Sequence, residues 1–243
     1  MYRLFLILFL SLATPVWAIS ESSIEQLIKK APDIRSSADL PQLVKTLTHG
    51  LKTDEDKAYV LLTWIVKNID YDNYKMRQID KNNSARRQHT EVPNSGDILK
   101  TRLGVCEDIA NLYKKMLERA DIKSEVVHGC AGNLNKRRTQ CEGGAWHAWN
   151  AVWINKQWEL IDPTWAITGK QSQAMEGVSR KTAYNREVRK REKRFFQNHR
   201  IREDRTVDKQ WFMTDPQKMQ EDHQPEDEKW LLIKSRDRKN KNL

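Results

Sequence analysis

The sequence predicts a mixed fold in which helices come first and an antiparallel run of strands follows. Two runs at helical spacing open the case: Ala58, Leu61, Leu62, Ile65, Val66 and Ile69, then Ile109, Leu112, Tyr113, Met116, Leu117 and Ala120. After residue 124 the period changes from helical to alternating, as strands require. Between the two lies Thr101-Arg102-Leu103-Gly104-Val105-Cys106, a tight turn that delivers a cysteine to the first turn of the second long helix. Gly104 is expected to supply the backbone freedom of that sharp entry.

Taken in order, residues 1–18 do not belong to the fold. Arg3 is a short positive region, Leu4 to Ala13 an apolar run, and Val16-Trp17-Ala18 offers small residues where a signal peptidase reads. The run is too short to span a bilayer, so a cleaved secretory signal is expected, with an uncleaved anchor as the alternative. Residues 19–50 carry two short helical stripes, Ile24, Leu27 and Ile28, then Leu40, Leu43, Val44 and Leu47; the first reads as loosely attached. Thr53 to Asp56 is a capping-box variant that starts a stronger helix, ended by Tyr71-Asp72.

Residues 73–96 are polar and turn-rich, a long connection suited to the rim of a site or to mobility. Beyond the cysteine helix, Ser124 to His128, Trp146 to Ile154 and Gln157 to Trp165 read as strands, the last two joined by a two-residue turn at Asn155-Lys156. Residues 170–210 differ in composition: 13 Lys or Arg stand against 6 Asp or Glu, leaving +7 of the chain's +10. They read as a solvated insertion, or as a patch for an acidic partner. Trp211 to Pro216 restores order, Lys229 to Ile233 reads as a final strand, and the tail after Lys234 is polar.

The 243 residues suffice for one domain with a substantial core. A mean hydropathy of −0.80 excludes a multi-span membrane protein. The basic balance suits acidic partners or anionic surfaces, and no specific nucleic-acid motif is visible. There are three cysteines, Cys106, Cys130 and Cys141. In an exported chain an odd cysteine points to a free reactive thiol. A Cys130–Cys141 bridge would close a short polar loop and contribute about 3 kcal/mol. Zinc held by His128, Cys130, Cys141 and His147 is the rival, though the set lacks paired Cys-x-x-Cys spacing.

Cys106, His147 and Asp162 then form a chemical series. A helix start favours the thiolate, the nucleophilic form. A thiol nucleophile needs a base, and the base needs a partner that sets its tautomer. If Ile154 faces Gln157 in the hairpin, Trp149 faces Asp162 and His147 faces Thr164. His147 and Asp162 are then diagonal neighbours on one face, with Cα atoms about 7–8 Å apart. Metal ligation by the trio lacks a fourth ligand.

Gly104-Val105-Cys106, Trp146-His147-Ala148-Trp149-Asn150 and Asp162-Pro163-Thr164-Trp165 resemble the three signatures of the transglutaminase-like superfamily, in order and spacing. Tyr71-Asp72, Trp211 to Pro216 and His223-Gln224-Pro225-Glu226-Asp227 resemble landmarks of its kyphoscoliosis-peptidase-like branch. The resemblance implies an α+β fold with a papain-like core, the cysteine helix packed on an antiparallel sheet. It implies Cys106 as nucleophile, His147 as base and acid, and Asp162 as orienter. The Cys106 N–H and, less firmly, Tyr71 are the oxyanion donors to consider. The implied activity is attack on protein or peptide amides through a thioester, with hydrolysis favoured over cross-linking. A non-catalytic binding module of the same fold is the alternative of another class. No cofactor and no calcium site are implied. The implied organisation is a helical segment at 19–52, a transglutaminase-like domain at 53–233 with the basic insertion, and a tail at 234–243.

Overall fold

The computed structural model describes residues 19–72, 75–76, 95–132, 144–167 and 205–233. The expected signal segment, most of the 73–96 connection, Cys141, most of the basic stretch and the tail lie outside these residues.

Helix α1 (Glu21–Lys30) is capped by Ser20, whose hydroxyl accepts the Ser23 N–H at 3.2 Å. Its Ile24 and Ile28 are buried against α2 (Leu40–Leu47) and α3 (Asp54–Asn68), so the first helix is docked firmly. In α3 the Thr53 hydroxyl accepts the Asp56 N–H at 3.1 Å and donates to the Asp56 carboxylate at 2.6 Å. Asp is a carbon shorter than the usual Glu, so the reciprocal bond closes on the Thr hydroxyl and leaves the cap backbone aside. Every residue from Ala58 to Lys67 is buried, making α3 the central helix.

The end of α3 is closed by a distant side chain. Arg205 donates from Nη1 to the Val66 and Ile69 carbonyls at 2.9 and 2.8 Å, and from Nη2 to the Asp70 carboxylate. A guanidinium there satisfies carbonyls that a helix end leaves open and complements its negative pole.

Strand β1 (Asp70–Tyr71) pairs in parallel with β2 (Leu103–Gly104), which follows α4 (Ser95–Thr101). Helix α5 (Cys106–Arg119) then runs back between α3 and a four-stranded antiparallel sheet. The sheet consists of β3 (Ser124–Gly132), β4 (Gly144–Ile154), β5 (Gln157–Ile161) and β6 (His223–Pro225), in the order β5-β4-β3-β6. The expected hairpin is present in the expected register, with Ile154 opposite Gln157 and Asn150 opposite Ile161. Asn155 and Lys156 both have positive φ, 52° and 66°, the twist a two-residue turn needs.

Two expected strands are corrected. The third stops at Ile161, because Pro163 cannot donate to a ladder and its preset φ suits the first position of α6 (Pro163–Ile167). Residues 229–233 do not form a strand. Asp227 accepts the Lys229 N–H at 3.0 Å and caps a 3-10 turn over Glu228–Leu231. The Trp211–Pro216 run docks onto the sheet edge, its Thr214 N–H donating to the Leu160 carbonyl at 2.8 Å. Asp215 caps the short α7 (Pro216–Met219), with Pro216 at its start.

Candidate active site

The cysteine corner is built from three close approaches. Arg102 takes the positive φ of the entry, 59°, and its buried guanidinium donates to the Asp33 carboxylate and the Ile34 carbonyl at 2.8 and 2.7 Å. Gly104 is needed for space: a Cβ there would stand 2.6 Å from Ile98 Cδ1 and 2.9 Å from Asp108 Cβ. This corrects the expectation that Gly104 supplies backbone freedom. The Asp72 N–H donates to the Gly104 carbonyl at 2.9 Å, and Tyr71 lies opposite Gly104, two residues before Cys106. At the third position of α5, Asp108 reaches back to the Val105 N–H at 2.9 Å and takes a salt bridge from Lys75 at 2.7 Å. Val105 has no side-chain acceptor to return the bond, so this is half of a capping box. Cys106 is the first residue of α5, free and 7 % exposed. First-turn N–H groups have no intrahelical partner and gather positive potential around the sulfur.

His147 reaches this corner from β4, opposite Gly129 of β3. Its Nε2 donates to Asp162 Oδ2 at 2.7 Å, and Cys106 lies close enough to the ring to help raise its pKa. With Nε2 committed to the carboxylate, Nδ1 is the nitrogen left for sulfur. The β4–β5 ladder ends at Asn150 and Ile161, before the diagonal pairing that the hairpin predicts. Asp162 still meets His147, because the chain turns into α6 at that residue and the carboxylate caps the helix. Its Oδ1 accepts the Thr164 and Trp165 N–H groups at 2.8 and 3.0 Å.

Both groups are buried, which by itself works against their charges. Burial would lower the His147 pKa, but the Asp162 charge and hydrogen bond, with Cys106 beside it, push it up to about 10. Burial would raise Asp162, but the His147 charge and hydrogen bond, joined by His223, hold its carboxyl well below the usual carboxylate range. The arrangement sets a carboxylate, an imidazole and a thiol side by side, a series in which one proton can pass between sulfur and ring.

His147, Asp162 and His223 each offer a metal-ligating atom, all within 4.8 Å of one another. Both imidazole Nε2 atoms sit on the same carboxylate oxygen at hydrogen-bond distances, 2.7 and 3.1 Å. The zinc set is likewise otherwise engaged: His128 Nε2 bonds Glu107 at 2.8 Å and Cys130 is in a disulfide, while Cys141 lies outside the described residues. Tyr71 is half-buried.

The transglutaminase-like superfamily model matches residues 41–163, half of the chain, and spans Cys106, His147 and Asp162. The chain belongs to the transglutaminase-like superfamily. It is 24 % identical over 211 residues to kyphoscoliosis peptidase of Homo sapiens and, to the same extent, to that of Mus musculus. Those alignments cover 86 % of this chain and 27 % of each relative, so the chain spans about a quarter of their length. Among solved structures, the periplasmic domain of TgpA from Pseudomonas aeruginosa shares 20 % identity, with a TM-score of 0.38, over 61 % of this chain and 49 % of that one.

Within this transglutaminase-like frame one site residue escapes sequence reasoning. His223 lies beyond the matched region, yet its Nε2 is 3.1 Å from Asp162 Oδ2. Its three-residue strand is too short for an alternation signal; the only pointer was the likeness of the 223–227 run to the kyphoscoliosis-peptidase branch.

Proposed function

We propose that this transglutaminase-like protein is a cysteine enzyme acting on protein or peptide amides, with hydrolysis as its outcome. The observation that carries the reading is the unbroken series from the free Cys106 thiol through His147 to Asp162. In the proposed reaction the Cys106 thiolate attacks the carbonyl carbon, and its lost proton already rides on His147. The tetrahedral oxyanion faces the Cys106 N–H, with Tyr71 as the second donor to test. His147 gives its proton to the departing amine as the C–N bond breaks, leaving a thioester on sulfur. Water, deprotonated by His147, then cleaves the thioester to acid and free thiol. The likeness to the kyphoscoliosis peptidases favours peptide bonds as the target.

A second reading is amine transfer, in which a lysine side chain replaces water. The burial of Cys106 and His147 favours it, because excluded water leaves the thioester to a bound amine. Export through residues 1–18, a Cys130–Cys141 bridge and an acidic partner for residues 170–210 complete the proposal; the leader, Cys141 and most of the basic stretch lie outside the described residues.

The two outcomes separate in one experiment. The mature protein receives a glutamine-containing protein with a fluorescent primary amine and, separately, an unstructured protein. Peptide cleavage or ammonia release that Cys106→Ala abolishes supports hydrolysis. Amine incorporation alone, lost in Cys106→Ala, selects transfer. Activity that survives Cys106→Ala overturns both.

A further inference from the structure

We propose that His223 is a positioning residue for the reacting pair, a second imidazole that locks Asp162 in place for His147. The inference rests on the reading of Cys106, His147 and Asp162 given above, and extends it to a residue outside the trio.

A carboxylate offers about four lone-pair directions. In Asp162 all four are used: His147 and His223 Nε2 at 2.7 and 3.1 Å on Oδ2, and the Thr164 and Trp165 N–H groups at 2.8 and 3.0 Å on Oδ1. A carboxylate so occupied cannot swing away from His147 when the proton moves. Without His223, Oδ2 would hold one donor fewer in a fully buried site.

His223 is itself built into place. Its side chain is fully buried, and Nδ1 lies 2.6 Å from Asp222 Oδ1. The ring is boxed by Trp165, Trp149 and Trp211, with centroids 4.4, 5.0 and 5.5 Å away, and faces His147 at 5.5 Å. Strand β6 is pinned at both ends, by Gly132 N–H to the Asp222 carbonyl and Glu226 N–H to the His128 carbonyl, each 2.9 Å. Gly129 lets that strand close in: a Cβ there would stand 2.2 Å from the Gln224 carbonyl oxygen and 2.7 Å from the Trp149 ring.

Both ring nitrogens of His223 meet carboxylate oxygens, and carboxylates only accept. Nε2–H is therefore the group His223 offers Asp162, a second ring donor beside that of His147. An apolar ring would fill the tryptophan box without a desolvation cost. The histidine is explained by what it donates.

The test is the rate of Cys106 alkylation by iodoacetamide across pH, a readout that needs no substrate. In His223→Asn, whose amide can reach toward Asp222 but not Asp162, the acid limb of the profile should move up by about one pH unit. That makes alkylation about tenfold slower near pH 5, with rates converging near pH 9. His223→Gln places an amide N–H where Nε2 stands and should recover most of the loss. Asp222→Asn should shift the limb in the same direction by less, and carries the test if His223→Asn does not fold. A purely structural role would lower the melting temperature of these variants and leave the profile unmoved, and that result overturns the inference. A wild-type Cys106 no more reactive near pH 5 than in His147→Ala overturns the underlying reading instead.

Discussion

Two histidines of the same sheet bond carboxylates at nearly the same length. His147 meets Asp162 at 2.7 Å and His128 meets Glu107 at 2.8 Å, and Glu107 is the residue after Cys106. The side chains of the first pair are 8 % and 0 % exposed, those of the second 40 % and 26 %. Distance does not distinguish them; surroundings do. Water screens the outer pair, so its bond adds little to the fold. The inner pair is shielded from solvent by burial. Each charge depends on the other, and the pair is worth most where one proton must move.

Breaking the inner pair should therefore have the largest effect. Asp162→Asn should slow any Cys106-dependent activity by at least about 100-fold, since an amide cannot favour the His147 cation. Steady-state rates with the variant and wild type at equal folded concentration check this.

Next is the strand that brings His223 to the inner pair. Gly129→Ala puts a Cβ into the Gln224 carbonyl. It should cost about 1–3 kcal/mol in a denaturant melt, because backbone and a tryptophan ring must both give way.

A third expectation uses pH. The raised His147 contributes stability that is full below 6.5 and is lost as pH climbs through about 10. Asp162, held low, contributes above 3.8 and loses its share as pH falls toward its folded value. The melting-temperature gap between wild type and His147→Gln should shrink from pH 6.5 to 10. The half-exposed His128, also raised by its Glu107 hydrogen bond, should give a smaller gap in a His128→Gln comparison. The smallest effect belongs to Glu107→Gln, expected below about 1 kcal/mol in stability, with Cys106 alkylation changed less than threefold.

Much of this arrangement was legible in the sequence. The α3 and α5 stripes and the hairpin register rest on local periodicity, which tertiary contacts did not override. The meeting of His147 and Asp162 was read correctly for a partly mistaken reason, because the sheet ends before the diagonal is reached and helix capping fixes the carboxylate. Arg205 and Arg102 were opaque, and His223 was marked by family likeness alone. Each acts on residues at least 60 positions away, through contacts that no spacing records. Gly104 was noticed for a freedom it does not use, since a glycine in sequence does not say whether its angle or its lack of a side chain is wanted.

The central claim is that Cys106, His147 and Asp162 form one charged unit in the folded protein. The most direct measurement is the protonation of His147 by nitrogen NMR on histidine-labelled protein, assigned with His147→Gln. The expected result is a His147 ring carrying hydrogen on both nitrogens at about pH 8, because its pKa is pushed up to about 10. A neutral His147 ring at that pH, titrating near 6.5 like a free histidine, would contradict the claim.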